Sequence, residues 1–169
     1  MGRISWVFWA LFIVAAPLFL ITASVTWALN SPGLYNDGFE NYSISRISGI
    51  TDADLRQVGA DIRHYFNSGD EPLAVKTLIL GEQRDLFNDR EISHMKDVKR
   101  LVRGVYLLTV ASAVYLAAMI VIGFGLHTSC FVPALAKRLT WGGGLTLILL
   151  VVFSLSLIHI SEPTRPLYI

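Results

Sequence analysis

The sequence contains little charge and almost no cysteine. Only 16% of its 169 residues are charged and the net charge is +1, so composition gives no indication of nucleic-acid binding. Cys130 is the single cysteine, which excludes a disulfide within the chain. Apart from Glu162, every Asp and Glu lies between Asp37 and Asp97. One polar segment is therefore flanked by stretches that contain no acidic residue other than Glu162.

Those flanking stretches are strongly apolar. The mean hydropathy is +0.53 and 53% of the residues are hydrophobic, values typical of membrane proteins. Three runs carry no charged residue, from Ile4 to Leu29, from Gly104 to Leu126 and from Leu139 to Leu157. Each is long enough to cross a bilayer as a helix, which takes roughly 18 or more residues. The sequence predicts an all-α membrane protein with three transmembrane helices.

The first run has two interpretations, a cleaved signal peptide or a retained anchor. It exceeds the usual apolar core of a signal peptide, about 7–15 residues, and it does not end in a small-x-small cleavage pattern. Trp6, Trp9 and Trp27 lie near its two ends, where interfacial aromatic anchors are expected. We therefore interpret it as a retained signal anchor.

The domain organisation follows from these runs. Residues 4–29 are predicted to be transmembrane helix 1, residues 101–126 helix 2 and residues 139–154 a truncated helix 3. Residues 30–100 form a small, mostly helical segment between the first two helices, and residues 127–138 form a loop on the other side. Arg3 and the Lys137-Arg138 pair slightly favour a cytoplasmic N-terminus, although Lys and Arg near the end of the polar segment weaken the count.

The end of the chain is expected to be an artefact. Residues 155–165 resemble the in-frame translation of a sequencing adapter, so residues 155–169 are set aside from fold reasoning. On this interpretation the chain is a fragment whose natural sequence continues after Ser154. His159 is then no catalytic candidate.

Local patterns predict the elements of the polar segment. Leu34 to Ile50 shows no helical period and is predicted to be irregular or partly extended. Thr51 is a helix cap, followed by an apolar stripe along one face, and residues 71–80 are predicted to be a short strand or helix. Asn88 and Glu91 have the spacing of a capping box, after which a single helix can run from Asp89 to Leu126, about 57 Å at 1.5 Å per residue.

The start of that helix holds the one arrangement in the sequence that indicates chemistry. Glu91, His94 and Asp97 are spaced three residues apart, and Arg90 lies four residues before His94, so they can share a helix face. A carboxylate beside an imidazole fixes its tautomer and raises its pKa toward neutrality, where a general base works best. His94 is the predicted base, with Glu91, Asp97 and Arg90 in supporting positions. The same residues can instead be solvated side chains that form salt bridges at the membrane surface, without a catalytic role. The spacing matches no usual zinc site, and no metal or cofactor is predicted.

The stretch Leu-Phe-Asn-Asp-Arg-Glu-Ile-Ser-His-Met-Lys-Asp-Val-Lys, residues 86–99, resembles the lipoprotein intramolecular transacylases, small bacterial integral membrane proteins. The resemblance covers residues 5–154. It implies four transmembrane helices in the intact parent, a cytoplasmic N-terminus in the bacterial cytoplasmic membrane, and residues 30–100 outside the cytoplasm. It also implies that His94 is catalytic.

The resemblance further implies a reaction. The sn-2 acyl chain of a diacylglyceryl-cysteine lipoprotein moves to that lipoprotein's own N-terminal amine and leaves a lyso-form lipoprotein. The implied partners are therefore a diacylated lipoprotein and membrane lipid. The family pattern includes a second histidine and a fourth span, and neither is present, so the chain as it stands is expected to be inactive.

A second function stays open from the sequence. The chain can instead be a non-enzymatic accessory or envelope protein in which the charged residues around His94 only position a helix.

Overall fold

The computed structural model describes residues 3–79, 82–126 and 128–161. It contains six helices and one two-stranded hairpin within those residues. In chain order they are α1 (Arg3–Asn30), α2 (Pro32–Asn41), α3 (Ile44–Ser48), α4 (Asp52–Asn67), β1 (Lys76–Ile79), β2 (Glu82–Asp85), α5 (Asp89–Leu126) and α6 (Thr128–Ser161). The chain divides into two compact units, one of residues 1–21 and 109–169 and one of residues 22–108.

Three of the helices are long and apolar enough to cross a membrane. Their candidate spans are Trp6–Asn30, Asp89–Gly125 and Phe131–Leu157. Only 22%, 6% and 11% of their most apolar windows are buried within the protein, so most of this surface needs lipid around it. The predicted class, an all-α membrane protein with three membrane-capable helices, is confirmed.

Two predicted loops are helical in the structure. Residues 34–50, predicted to be irregular, form most of α2 and all of α3. These helices have 10 and 5 residues, too short for a helical period to be visible in the sequence. The predicted cytoplasmic loop 127–138 is helical from Thr128 onward. The Lys137-Arg138 pair therefore lies inside α6 and does not precede it. Which side of the membrane this end faces stays a prediction.

Helix α4 organises the unit of residues 22–108. Its start is as predicted: the Thr51 hydroxyl accepts a hydrogen bond from the Asp54 backbone N–H at 3.2 Å. The predicted apolar stripe is confirmed, since Leu55, Val58, Tyr65 and Phe66 are buried. The core around this stripe also includes Leu73, Val75 and Val102, with seven partly buried side chains packed against it: Leu29, Ile62, Leu86, Phe87, Met95, Val98 and Tyr106.

The buried face of α4 also packs on α2, at a glycine. A Cβ atom placed on Gly59 would lie 3.4 Å from the Phe39 ring and 3.5 Å from Tyr35 Cβ, an ordinary but close contact. This close approach explains how the short helix α2 holds its position against α4.

Within residues 71–80, predicted to be a short strand or helix, Lys76–Ile79 form strand β1, and residue 80 lies outside the described residues. In the antiparallel hairpin Lys76 pairs with Asp85 and Thr77 with Arg84, and Leu86 N–H donates to the Val75 carbonyl at 2.9 Å. The hairpin leads through Leu86 and Phe87 directly to the start of α5.

In the unit of residues 1–21 and 109–169, aromatic rings fill the space between helices. The Phe131 ring lies so close to Gly123 that a Cβ at this position would overlap with it. Phe131 also contacts Trp9 and Phe124, with ring centroids 5.8 Å and 5.2 Å apart. Gly123 is therefore required for this packing.

We expect Gly123→Ala to destabilise the protein, because the Phe131 ring must move to admit the methyl group; overpacking of this kind costs about 1–3 kcal/mol. Thermal unfolding in detergent would measure it. Gly125→Ala is the matched control, since nothing lies within 4 Å of a Cβ at that position. Equal unfolding temperatures for the two variants would contradict the packing.

Candidate functional site

Helix α5 begins with the predicted capping box. The Glu91 backbone N–H donates to the Asn88 side-chain oxygen at 3.0 Å, and the Glu91 carboxylate accepts from the Asn88 backbone N–H at 2.9 Å. The Glu91 carboxylate is therefore engaged with the helix start. It stabilises the first turn of α5 and does not hydrogen-bond the imidazole of His94.

His94 is exposed on the second turn of this helix. Asp97, also exposed, forms an ion pair with Arg100 at 3.2 Å. Arg90 is exposed one turn before His94. Across residues 3–79, 82–126 and 128–161, no hydrogen bond or ion pair links His94 to Glu91, Asp97 or Arg90. The structure places these four residues on neighbouring turns but does not join them into a bonded cluster.

The height of His94 follows from the exposed apolar residues below it. Leu101, seven residues on, lies on almost the same face and is 70% exposed, as expected where the helix meets lipid. At 1.5 Å per residue His94 lies about 10 Å further out. The polar layer of one leaflet is roughly 5–8 Å thick. If the hydrocarbon begins at Leu101, His94 would lie at the outer edge of the headgroup layer. Its Cβ points toward the N-terminus of α5.

A different set of α5 side chains holds the helix to the segment after α4. Lys96 forms an ion pair with Glu71 at 2.6 Å, and Arg103 donates to the Ser68 carbonyl at 3.0 Å. Lys99 is 1% exposed; its ammonium donates to the Asp70 carbonyl and lies 3.9 Å from the centre of the Tyr65 ring. These three cations form what we call the cation clasp of α5.

Sequence reasoning missed the clasp, because it counted these cations only as a topology signal. Their spacing does carry a signal, since residues 96, 99 and 103 are three and four apart and share one face. In the clasp, Lys99 and Arg103 satisfy backbone carbonyls beyond the end of α4.

A cavity of about 440 Å³ lies beside the clasp. Its lining is Tyr65, Glu71, Pro72, Asp89, Ile92, Ser93 and Lys96. Lys96 is two residues from His94, a rotation of about 200°, so this cavity opens on the opposite side of α5 from the imidazole. Tyr65 is 3% exposed and its hydroxyl has no hydrogen-bond partner in the described part of the chain. Burial raises the pKa of Tyr65, and the nearby Glu71 carboxylate raises it further.

The acidic residues of the clasp segment have lowered pKa values. The hydrogen bond with Lys96 lowers the pKa of Glu71, and hydrogen bonds with Ser68 and then His64 lower that of Asp70. His64 contacts Asp70 at 3.1 Å with its side chain 73% exposed, so it lies on the surface. Within the described residues no group of three or more His, Cys, Asp and Glu side chains could hold a metal ion.

The fold first identifies the class of protein. It is an all-α integral membrane protein with several long apolar helices, and its polar unit of residues 22–108 includes the end of α1 and the start of α5. The family follows from a comparison with family models. The model described as lipoprotein intramolecular transacylase Lit matches residues 10–161, and the chain belongs to that family. No curated protein and no solved structure matched the chain. The matched range includes residues 155–161, which the sequence interpretation set aside; residues 162–169 of the predicted artefact lie outside the described residues.

We expect Lys99→Met to open the segment of residues 68–72, because the Asp70 carbonyl loses a buried charged donor. The loss of about 1–2 kcal/mol corresponds to amide exchange roughly 5- to 30-fold faster in this segment. Hydrogen–deuterium exchange with mass spectrometry would show it. Lys76→Met, on the exposed hairpin, is the control, and unchanged exchange at residues 68–70 would contradict the clasp.

The lowered pKa of Glu71 predicts a pH dependence of stability. A carboxylate whose pKa is lower in the folded than in the unfolded protein stabilises the fold above its ordinary value of 4.5, and this contribution is lost as the pH falls through the folded pKa. We therefore expect unfolding temperatures to fall as the pH drops below about 5, and less steeply in Glu71→Gln. Glu40→Gln, on the exposed side of α2, should keep the wild-type pH profile. Parallel profiles for Glu71→Gln and wild type would refute the assignment.

Proposed function

We propose that the protein moves the sn-2 acyl chain of a diacylglyceryl-cysteine lipoprotein onto the amine of that same cysteine, with His94 as the general base. Membership in the transacylase family supports the reaction class. The observation that carries the role of His94 is its position: an exposed imidazole about 10 Å beyond Leu101, on a helix that continues into the membrane.

That height suits the amine better than the ester. In a diacylated lipoprotein the acyl esters lie near the hydrocarbon boundary, whereas the cysteine amine and the polypeptide lie on its water side. A base for this reaction has to meet the amine. The ester needs only to come within reach of the nitrogen, and both groups belong to one molecule, so holding them together supplies much of the acceleration.

The proposed reaction has two proton transfers. The N-terminal amine, with a pKa near 8, first has to be neutral. Its nitrogen attacks the sn-2 carbonyl while its proton passes to the neutral His94 imidazole, and a tetrahedral intermediate forms. The carbon–oxygen ester bond then breaks, and the imidazolium returns the proton to the departing sn-2 oxygen. The products are an amide on the cysteine nitrogen and a free hydroxyl on the glycerol.

The other residues of the motif receive proposed supporting roles. Arg90 is the proposed donor to the oxyanion of the intermediate, because it lies one turn from His94 and no described residue bonds its guanidinium. Glu91 acts through the cap that fixes the start of α5. Asp97 is proposed to orient the imidazole, which requires its carboxylate to turn from Arg100. The proposed location is the bacterial cytoplasmic membrane, with a cytoplasmic N-terminus and residues 30–100 outside.

One observation favours a second candidate, a non-enzymatic accessory protein. The clasp gives Lys96, Lys99 and Arg103 a structural purpose, and the cavity beside it lies on the opposite side of α5 from His94. In such a protein α5 would only position the polar unit, and His94 would tolerate replacement by Gln or Asn.

We expect His94→Ala to reduce N-acylation at least about 100-fold, the smallest usual contribution of a general base. The measurement is tandem mass spectrometry of a lipoprotein's N-terminal peptide, from cells that lack other N-acylating enzymes and express the full-length gene. Fragments are required because the product is an isomer of the substrate and the intact mass does not change.

His64→Ala is the matched control, since His64 is also exposed but lies on α4 beside Asp70. It should leave N-acylation intact, and both variants should accumulate in the membrane like the wild type. Full activity in a well-expressed His94→Ala variant would exclude His94 as the base. Absence of N-acyl fragments from the wild type would favour the accessory protein.

A further inference from the structure

A basic and aromatic groove lies between the first part of α1 and the first part of α6. It has a volume of about 400 Å³, and its lining includes Trp6, Trp9, Ile13, Lys137, Arg138 and Trp141. All of these residues belong to the unit of residues 1–21 and 109–169. Both helices are candidate membrane spans here, so the groove opens toward lipid.

The two cations of the groove have no acidic counterpart nearby in the chain. Residues 1–21 and 109–161 contain no Asp or Glu at all. A cation inside a membrane-spanning helix normally pairs with an acid or reaches the interface, because leaving it uncompensated among apolar groups is costly. Lys137 and Arg138 therefore have no carboxylate to pair with in the described part of this unit.

Arg138 is held in place without using most of its donors. Its guanidinium lies 3.7 Å from the centre of the Trp9 ring, and one Nη donates to the Ala134 carbonyl at 2.8 Å. A guanidinium has five N–H donors in a planar fork that matches a phosphate. Stacking on Trp9 fixes the plane of that fork and leaves donors available in the groove.

The apolar side of the groove indicates what kind of phosphate fits. Trp6 is 73% exposed and Trp141 is 64% exposed, which places two indole rings where headgroups meet acyl chains. Ile13 lies one turn further into the membrane from Trp9, where an acyl chain would continue. A small soluble anion would leave these surfaces uncovered.

We propose that this groove is a binding site for an anionic phospholipid, with the phosphate held by Lys137 and Arg138 and an acyl chain along Trp9 and Ile13. Basic pockets between transmembrane helices commonly bind anionic headgroups in this way. The site is separate from the acyl-transfer chemistry and does not depend on the proposed function.

The test is lipid binding by the purified full-length protein in neutral detergent, followed by native mass spectrometry. Phosphatidylglycerol and phosphatidylcholine with identical acyl chains are the two probes. We expect phosphatidylglycerol to bind more tightly, and Arg138→Gln or Lys137→Gln to weaken it about five- to tenfold. Lys137 is exposed, so its variant reports on the site even if Arg138→Gln does not fold.

Arg84→Gln is the matched control, because it removes the same charge from a hairpin side chain that is 64% exposed. It should leave phosphatidylglycerol binding unchanged. Equal binding of the two lipids, or an equal loss in Arg84→Gln, would overturn the proposal, because either result means that no specific site exists. Displacement of the lipid by millimolar inorganic phosphate would also overturn it, in favour of a site for a soluble anion.

Discussion

The interaction on which the polar unit depends is the burial of the Lys99 ammonium against the Asp70 carbonyl and the Tyr65 ring. A buried cation is costly unless its donors are satisfied, so this contact fixes the rotation of α5 about its own axis. Met95, Val98 and Val102 then turn to the core, and the two other cations of the clasp meet residues 68–71. The face that carries His94 and Leu101 is the one left outside. The exposure of the proposed base is thus a consequence of how α5 is docked.

Sequence patterns predicted the elements whose signals are local. The three long helices, the Thr51 cap, the α4 stripe and the Asn88–Glu91 capping box each depend on one continuous stretch of sequence. The helices within residues 34–50 were missed, since α2 gains its stability from contact with α4 at Gly59. The clasp was missed for the same reason. Lys99 and Asp70 are 29 positions apart, and no local pattern shows that a lysine will be buried.

The sequence predicted which residues form the candidate site but not which contacts they make. The spacing of Glu91, His94 and Asp97 permits contact, yet each carboxylate has another partner: Glu91 the backbone of Asn88, and Asp97 the guanidinium of Arg100. An exposed imidazole without a bonded partner in the described residues is consistent with a base that serves a substrate amine and acquires its environment only when the lipoprotein is bound. Catalytic hydrogen bonds are often absent or long before the substrate arrives.

The proposed role of His94 depends most on its height above the hydrocarbon. Nitroxide labels at positions 94, 101 and 108, placed one at a time in a Cys130→Ser background, would measure it through their relative accessibility to oxygen and to a water-soluble nickel reagent. Oxygen accessibility should rise steadily from 94 to 108, with position 94 in or just above the polar headgroup layer. A label at 94 that matches the one at 108, or one as water-exposed as a label at Gln83 on the hairpin, would contradict the placement of the base at the level of the lipoprotein amine.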